Sequence, residues 1–260
     1  DPRELFTIEA KLGEGAFGAV YRGRFKMTGF VLAIKEIRID HVTDTAAVER
    51  EIHLLKQLHH PNTVQYFGCC FVDQCIWILN SYCGAGSILD CMTLRDAPLT
   101  EAQCAIVTAD ALNGLAYLHE EGIIHRDLKC SNILLTLSGQ IMIADFGVSE
   151  RLAPDAAASG AVVGSPYWMS PEVIRGAAAG LAADIWSLGI TVIEMIDGMP
   201  PLAEMPPMRA MFKIPFLPEP SVREPARVSA ALLAFVHACI RKEPQDRADA
   251  ESLKQLAFVS

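Results

Sequence analysis

Apolar and polar positions alternate along residues 7–12 and 19–25, and a further apolar stretch covers residues 31–37. A period of two belongs to half-buried strands, so these stretches predict three strands, the first two flanking a glycine-rich turn. Val48, Ile52, Leu55 and Leu58 then recur every three or four residues, which predicts a helix over 44–58 with one apolar face. Strands follow at 63–71 and 75–80. Thr100-Glu101-Ala102-Gln103 has the form of a capping box, in which two side chains satisfy free N–H groups at a helix start. It opens a long helix through Ile106, Leu112, Leu115 and Leu118, ending near Gly122. Residues 133–135 and 140–143 predict a hairpin across Ser138-Gly139, and the chain from Pro171 onward is mostly helical. The pattern is α+β and bilobal: a small strand-rich part with one key helix, then a larger helical part. It divides the single domain 1–260 into 1–80, a join at 81–86, and 87–260. Gly84 and Gly86 give that join the freedom of a hinge.

The 260 residues are 51% hydrophobic, enough for a sizeable core. No apolar run approaches the ~18 residues of a membrane span. A net charge of −9 argues against nucleic acid and anionic membrane as partners. The acidity is first a solvated surface, and second an attraction for basic substrates. The chain begins at Asp1 rather than Met and reads as a domain cut from a longer protein. Its eight cysteines form no CxxC pair and no histidine pairs add zinc spacing, so reduced thiols and a cytoplasmic setting are expected.

The chemistry concentrates in His125-Arg126-Asp127-Leu128-Lys129-Cys130-Ser131-Asn132 and, thirteen residues after Asn132, Asp145-Phe146-Gly147. Two carboxylates and a carboxamide on neighbouring loops suit phosphoryl transfer from ATP, with one carboxylate for the acceptor hydroxyl and oxygens for Mg2+. Asp127 takes the first role, Lys129 reaches the transferred phosphate, and Asn132 and Asp145 hold magnesium. His125 is expected in the core rather than as a base. Gly13, Gly15 and Gly18 form a glycine-rich loop followed by the strand formers Val20 and Tyr21. A dinucleotide fold would place a helix there, and a Walker loop needs Gly-Lys-Ser/Thr. The glycines therefore admit a triphosphate under a hairpin, with Val20 and Ala33 beside the base. Lys35 follows in an apolar strand and needs an anion, an ATP phosphate and a helix carboxylate. Glu51 is the best partner and Glu49 its competitor in register. Phe146 is expected under the helix of Glu51. Residues 164–172 form a shelf for a peptide beside Asp127, Glu172 and Arg247 a buried ion pair, and Asp184 an anchor for the catalytic-loop backbone.

Together these residues resemble a eukaryotic serine/threonine protein kinase over essentially the whole chain. Gly164-Ser165-Pro166-Tyr167-Trp168-Met169 with Asp184-Ile185-Trp186-Ser187-Leu188-Gly189 resembles the sterile-twenty-like superfamily. Tyr82-Cys83-Gly84-Ala85-Gly86-Ser87 and Pro207-Met208-Arg209-Ala210 are similar to its Hippo-type, mammalian sterile-twenty-like members. His60-Pro61-Asn62-Thr63-Val64-Gln65-Tyr66 and Gly114-Leu115-Ala116-Tyr117-Leu118-His119 are similar to the thousand-and-one-amino-acid kinases. The resemblance places the chain in the germinal-centre group. It implies ATP with Mg2+, transfer to Ser or Thr of protein substrates, an upstream kinase or scaffold as partner, and adenine contacts through the backbone of Ser81 and Cys83. Val148, directly after Asp145-Phe146-Gly147, implies a preference for threonine. A nucleotide-binding pseudokinase scaffold is the alternative, opposed by the intact Lys35, Glu51, Asp127, Asn132 and Asp145. A small-molecule or lipid kinase is opposed by the peptide shelf.

Departures from that pattern are Asn80, where relatives carry a bulky apolar residue, Ser81 in place of an acidic one, and Ser170 at the shelf. A fourth is Ala161, where Hippo-type relatives carry a phosphorylated threonine. Either Ser159 is a displaced phosphosite, or Arg126 finds another anion, or the switch has been removed by mutation. Ser165 is a weaker phosphosite, and phosphate-independent activity is the favoured expectation.

Overall fold

The computed structural model describes residues 1–15, 18–39, 45–152 and 162–260. A short helix α1 (Pro2–Leu5), capped by the Asp1 side chain, leads into a five-stranded antiparallel sheet. Its strands are β1 (Phe6–Gly15), β2 (Gly18–Phe25), β3 (Val31–Arg38), β4 (Tyr66–Val72) and β5 (Cys75–Ser81), in the order β1-β2-β3-β5-β4. Alternation along β3 sorts its side chains. Leu32 and Ile34 pack with Val72, Trp77 and Leu79 on one face, whereas Ile37 joins Ile76 and Ile78 on the other. Lys35 shares that second face, because it lies two residues from Ile37 and directly opposite Ile78. Helix α2 (Thr45–Gln57) covers it with the expected stripe, burying Val48, Ile52 and Leu55.

The sheet and the helical part meet at residues 58–64. β4 starts at Tyr66 rather than at 63, because the backbone before it pairs with another element. Asn62 accepts from Ile143 N at 2.8 Å, Val64 N donates to Ile143 O at 2.9 Å, and Asn62 Nδ2 donates to Ile141 O at 2.9 Å. The partner is the hairpin of β7 (Ile133–Leu135) and β8 (Ile141–Ile143), with the register read from the sequence. Between β5 and that hairpin come α3 (Ile88–Arg95), α4 (Glu101–Glu120) and β6 (Ile123–Ile124). Both helices open with capping boxes, Ser87 with Asp90 and Thr100 with Gln103. The second is the box that the sequence predicts, and the first has the same local form. Gly114 of α4 lies so close to residue 62 that a Cβ would stand 2.6 Å from the Asn62 carbonyl oxygen.

After β9 (Glu150–Arg151), which pairs with β6, come α5 (Pro171–Ile174), α6 (Leu181–Asp197), α7 (Pro207–Lys213), α8 (Ala230–Cys239) and α9 (Ala250–Leu253). Helix α6 is buried on all sides from Ala183 to Met195. Its contact with α8 is close at Gly189, where a Cβ would meet Cys239 Cβ at 2.7 Å. Arg247 forks onto Glu172 at 2.6 and 2.8 Å and lies over the Trp186 ring, forming the expected ion pair. All eight cysteines are free, as expected.

Burial pushes the Glu172 carboxyl up, but the Arg247 guanidinium outweighs it, leaving the group below its ordinary value of 4.5. A depressed carboxylate contributes stability that is fully present above the unfolded value and is lost as pH falls through the folded one. Glu172→Gln, which strands a buried guanidinium, is expected to destabilise the fold by about 3–5 kcal/mol at pH 7. Denaturant titrations of both proteins should show that gap narrowing only below pH 4.5. A gap that stays constant through acid would exclude the linkage.

Candidate active site

The catalytic loop, residues 125–132, hangs from α6. Asp184 Oδ2 accepts from His125 N and Oδ1 from Arg126 N, each at 2.8 Å, and His119 Nε2 lies 3.0 Å from Oδ2. Asp184 has no exposed surface. Its burial raises the carboxyl, yet His119, His125 and the Arg126 amide prevail and hold it below its ordinary value. This grip fixes Arg126 at a φ of +67°, a left-handed conformation that costs a non-glycine residue about 1–3 kcal/mol. His125 is in the core as expected. Asp127 N donates to its Nδ1 at 3.3 Å, which leaves the ring proton on Nε2, 3.0 Å from the Ala144 carbonyl. The ring meets Phe146 edge-on, and Phe146 is buried in the cluster that contains Val48, Ile52 and Leu55 of α2.

Asp127 is held from three directions. Ser165 N donates to Oδ1 at 2.8 Å, Asn132 Nδ2 donates to Oδ2 at 3.0 Å, and Lys129 Nζ lies 2.8 Å from Oδ2. Lys129 Nζ also donates to Ser165 Oγ. Burial raises the Asp127 carboxyl, but Lys129 and Ser165 outweigh it, so the group sits below its ordinary value and is ionised at neutral pH.

Beside Asn132 opens a cavity of about 580 Å³ between the sheet and the helical part. Gly13, Gly18, Val20, Ala33, Lys35, Glu51, Ser81, Cys83, Asn132 and Asp145 all line it. Gly15 ends β1 opposite Gly18, and residues 16–17 are outside the described ones. Lys35 Nζ stands 2.6 Å from Glu51 Oε1 and 3.3 Å from Asp145 Oδ1. Burial lowers the Lys35 ammonium, but Glu51 and Asp145 more than restore it, so it is firmly charged. Glu51 is therefore the partner that the sequence placed ahead of Glu49. Burial pushes the Cys83 thiol up to about 11, which leaves it neutral in the cavity wall.

The donor set suits a nucleotide with a hard cation. Asn132 turns its amide nitrogen to Asp127, which leaves the amide oxygen to pair with the Asp145 carboxylate around a metal. Asp145 adopts a φ of +66°, a left-handed conformation like that of Arg126. Asn80 lines the cavity, and its Oδ1 is buried without a hydrogen-bond partner among the described residues.

Arg126 meets an anion from its own chain. Its Nη1 pairs with Glu150 Oε2 and its Nε donates to the Val148 carbonyl. Glu150 was not singled out from the sequence, although it lies five residues after Asp145 in the segment where an anion was sought. Ser159 and Ala161 lie outside the described residues.

A five-stranded sheet over a helical body, with a lysine–carboxylate pair on one side of a cleft and a held aspartate on the other, is the arrangement of a protein kinase domain. The chain belongs to the protein kinase domain family, whose model matches residues 6–259. It is 45% identical over 258 residues to the serine/threonine-protein kinase hippo of Drosophila melanogaster, and 43% identical over 258 residues to the serine/threonine-protein kinase cst-1 of Caenorhabditis briggsae. Each match covers 99% of this chain, but only 38% and 52% of the respective relatives. Both relatives are of the Hippo type, the first of the two resemblances read from the sequence.

Lys35→Met and Asp145→Asn are each expected to lower phosphotransfer by at least about 10²-fold, because they remove charge aimed at reacting groups. Asp145 is 41% exposed, so thermal unfolding of Asp145→Asn should stay near that of the unaltered chain, whereas Lys35→Met leaves the buried Glu51 carboxylate without its ion-pair partner and should unfold at a lower temperature while keeping the fold. Full activity in either variant would refute the assigned role.

Proposed function

We propose that this chain transfers the γ-phosphate of ATP to serine and threonine hydroxyls of protein substrates. The observation that carries the reading is the fixed, ionised Asp127 between the catalytic loop and the shelf at Ser165. In this role Asp127 orients the acceptor hydroxyl and takes its proton. Lys129, 2.8 Å from Asp127, faces the phosphoryl group in transit. Lys35, held by Glu51, binds the nucleotide phosphates under Gly13, Gly15 and Gly18. Val20 and Ala33 pack on the base, and backbone groups of Ser81 and Cys83 contact its edge. Asn132 and Asp145 would hold Mg2+, which would supply neutralisation of phosphate charge. A pseudokinase scaffold is not favoured, because every one of these side chains is in place. The setting we propose is cytoplasmic, with protein substrates and an upstream kinase or scaffold as partners, and neither nucleic acid nor membrane among them. No helix among the described residues is long and apolar enough to cross a membrane.

Labelled ATP, magnesium and a generic basic protein test the reaction. Transfer of label to protein is expected, and nucleotide binding without transfer would favour the scaffold. Paired peptides that differ only in the acceptor should show threonine ahead of serine by about tenfold, the weight of one methyl contact, which we assign to Val148. A serine preference would refute that assignment.

The Arg126–Glu150 pair supports a second proposal about the same activity. A carboxylate on Arg126 orders the start of the segment after Asp145-Phe146-Gly147 without a phosphate. Activity should therefore survive phosphatase treatment, verified by intact mass. Loss of activity on dephosphorylation, reproduced by Ser159→Ala, would make Ser159 the switch instead.

A further inference from the structure

Helix α7 presents two unlike faces. Ala210 and Ile214 are buried, and Met211 packs in the cluster of Met169 and Val173, so this face lies against the shelf and α5. Two hydrogen bonds hold it there. The Tyr167 hydroxyl donates to the Met205 carbonyl at 2.7 Å, and Arg175 Nη2 donates to the Pro215 carbonyl at 3.1 Å. The opposite face carries Met208 and Phe212 one turn apart, 62% and 73% exposed. The coil continues past the helix end, where the amides of Phe216 and Leu217 donate to the Lys213 carbonyl. It brings Phe216, 82% exposed, into the same row.

Single exposed apolar residues are ordinary on a protein surface, whereas a contiguous row marks a contact surface. Arg209 and Lys213 stand beside the row, again one turn apart. From Met205 to Pro218 the sequence has no Asp or Glu, although the chain as a whole carries 31 acidic residues against 22 basic ones. Among the described residues neither Arg209 nor Lys213 forms an ion pair. The outer face of α7 is therefore an apolar row with a cationic column, on a chain whose net charge is −9.

Charge selects the occupant. A second copy of this chain in a two-fold contact would bring two cationic columns into one interface with no acid to meet them. An anionic bilayer is opposed by the negative charge of the chain around the patch. An acidic protein segment with apolar residues one turn apart fits both the row and the column, as an amphipathic helix fits an apolar surface. We propose that the outer face of α7 docks such an acidic, apolar segment of the protein substrate, at a distance in sequence from its acceptor hydroxyl. The proposal rests on the phosphotransfer reading above. The helix is bonded to the shelf at Tyr167, two residues after Ser165, so a segment held on α7 has a fixed place relative to Asp127. Tethering raises the effective concentration of the acceptor at the cleft without any new contact to the reacting groups.

The probes are two threonine peptides. One is short. The other continues through about 12 Gly and Ser residues, which span roughly 20 Å, into a segment with Leu and Phe one helical turn apart and Asp and Glu beside them. The tethered peptide should show a KM about tenfold below that of the short one, at equal kcat. Phe212→Ser with Phe216→Ser should remove that difference and leave the short peptide unaffected. Arg209→Glu with Lys213→Glu should remove it too, and should confer it on a segment with Lys in place of Asp and Glu. All four side chains are exposed, so thermal unfolding should show the fold retained. Should a variant unfold, the free segment decides the matter on the unaltered chain, where it should compete with the tethered peptide and not with the short one. Fluorescence anisotropy of the labelled segment reads docking with no transfer step. Equal KM values for the two peptides overturn the proposal, as does a difference that survives both double variants. Self-association abolished by the Phe substitutions would assign the face to a second copy. Binding to phosphatidylserine–phosphatidylcholine vesicles abolished by the charge reversal would assign it to a membrane. Either result overturns the proposal. Absence of transfer to the short peptide strikes the phosphotransfer reading instead, and the anisotropy still tests the docking.

Discussion

A carboxylate with no exposed surface is stable in a protein interior only when its oxygens are filled. Asp184 meets that condition with two backbone amides of consecutive residues, and this pairing fixes the centre of the molecule. The pairing constrains both partners. It compels the chain through Arg126 to take a left-handed turn, and that turn aims Asp127 back toward the shelf. It also keeps α6 in register, since Asp184 could not slide along the helix axis without losing both amides. Lys35, Glu51 and Asp145 form a second, dependent constellation. Their ion pairs form only if α2 lies against β3 and if residue 145 lies on the near wall. The first constellation is inside the helical part, and the second spans the cleft.

Much of this arrangement was legible in the sequence because it rests on short-range patterns. The strand and helix periods, the Thr100–Gln103 box and the 133–143 hairpin are decided by residues within one or two turns of each other. Lys35 was legible for a different reason, as a charge in an apolar strand that only an anion explains, and Asp145 through its spacing from the 125–132 motif. The elements that escaped depend on distant partners. Residues 63–65 have strand-forming side chains, but residues 62–64 pair with β8, eighty residues away in the chain, and so leave the sheet. Helix α3 is an exception, since it carries a local signal in the Ser87–Asp90 box.

The functional residues missed have the same character. Glu150 is an ordinary surface-type residue until the pairing of β9 with β6 sets it against Arg126. Met208, Phe212 and Phe216 recur at helical spacing as a core stripe would, and only the packing of Met211 on the shelf turns that row outward. Sequence periodicity can say that a stripe exists, whereas only the fold says what it touches.

The clamp at residues 59–64 has a mechanical consequence for α2. His59 N bonds the Tyr117 hydroxyl at 3.0 Å, the His60 ring stacks on Tyr117, and Asn62 is pinned between Gly114 and β8. The end of α2 is thus fastened to the helical part, while Glu51 lies six residues before Gln57, roughly 9 Å up the helix axis. The helix is a short lever with its fulcrum at the clamp and its working point at the carboxylate. Over that arm a tilt of about 10° carries Glu51 about 1.5 Å, given a rise of 1.5 Å per residue. Such a displacement is enough to part a lysine–carboxylate contact of 2.6 Å. A small rotation at the edge of the molecule is thereby converted into the making or breaking of one ion pair at its centre.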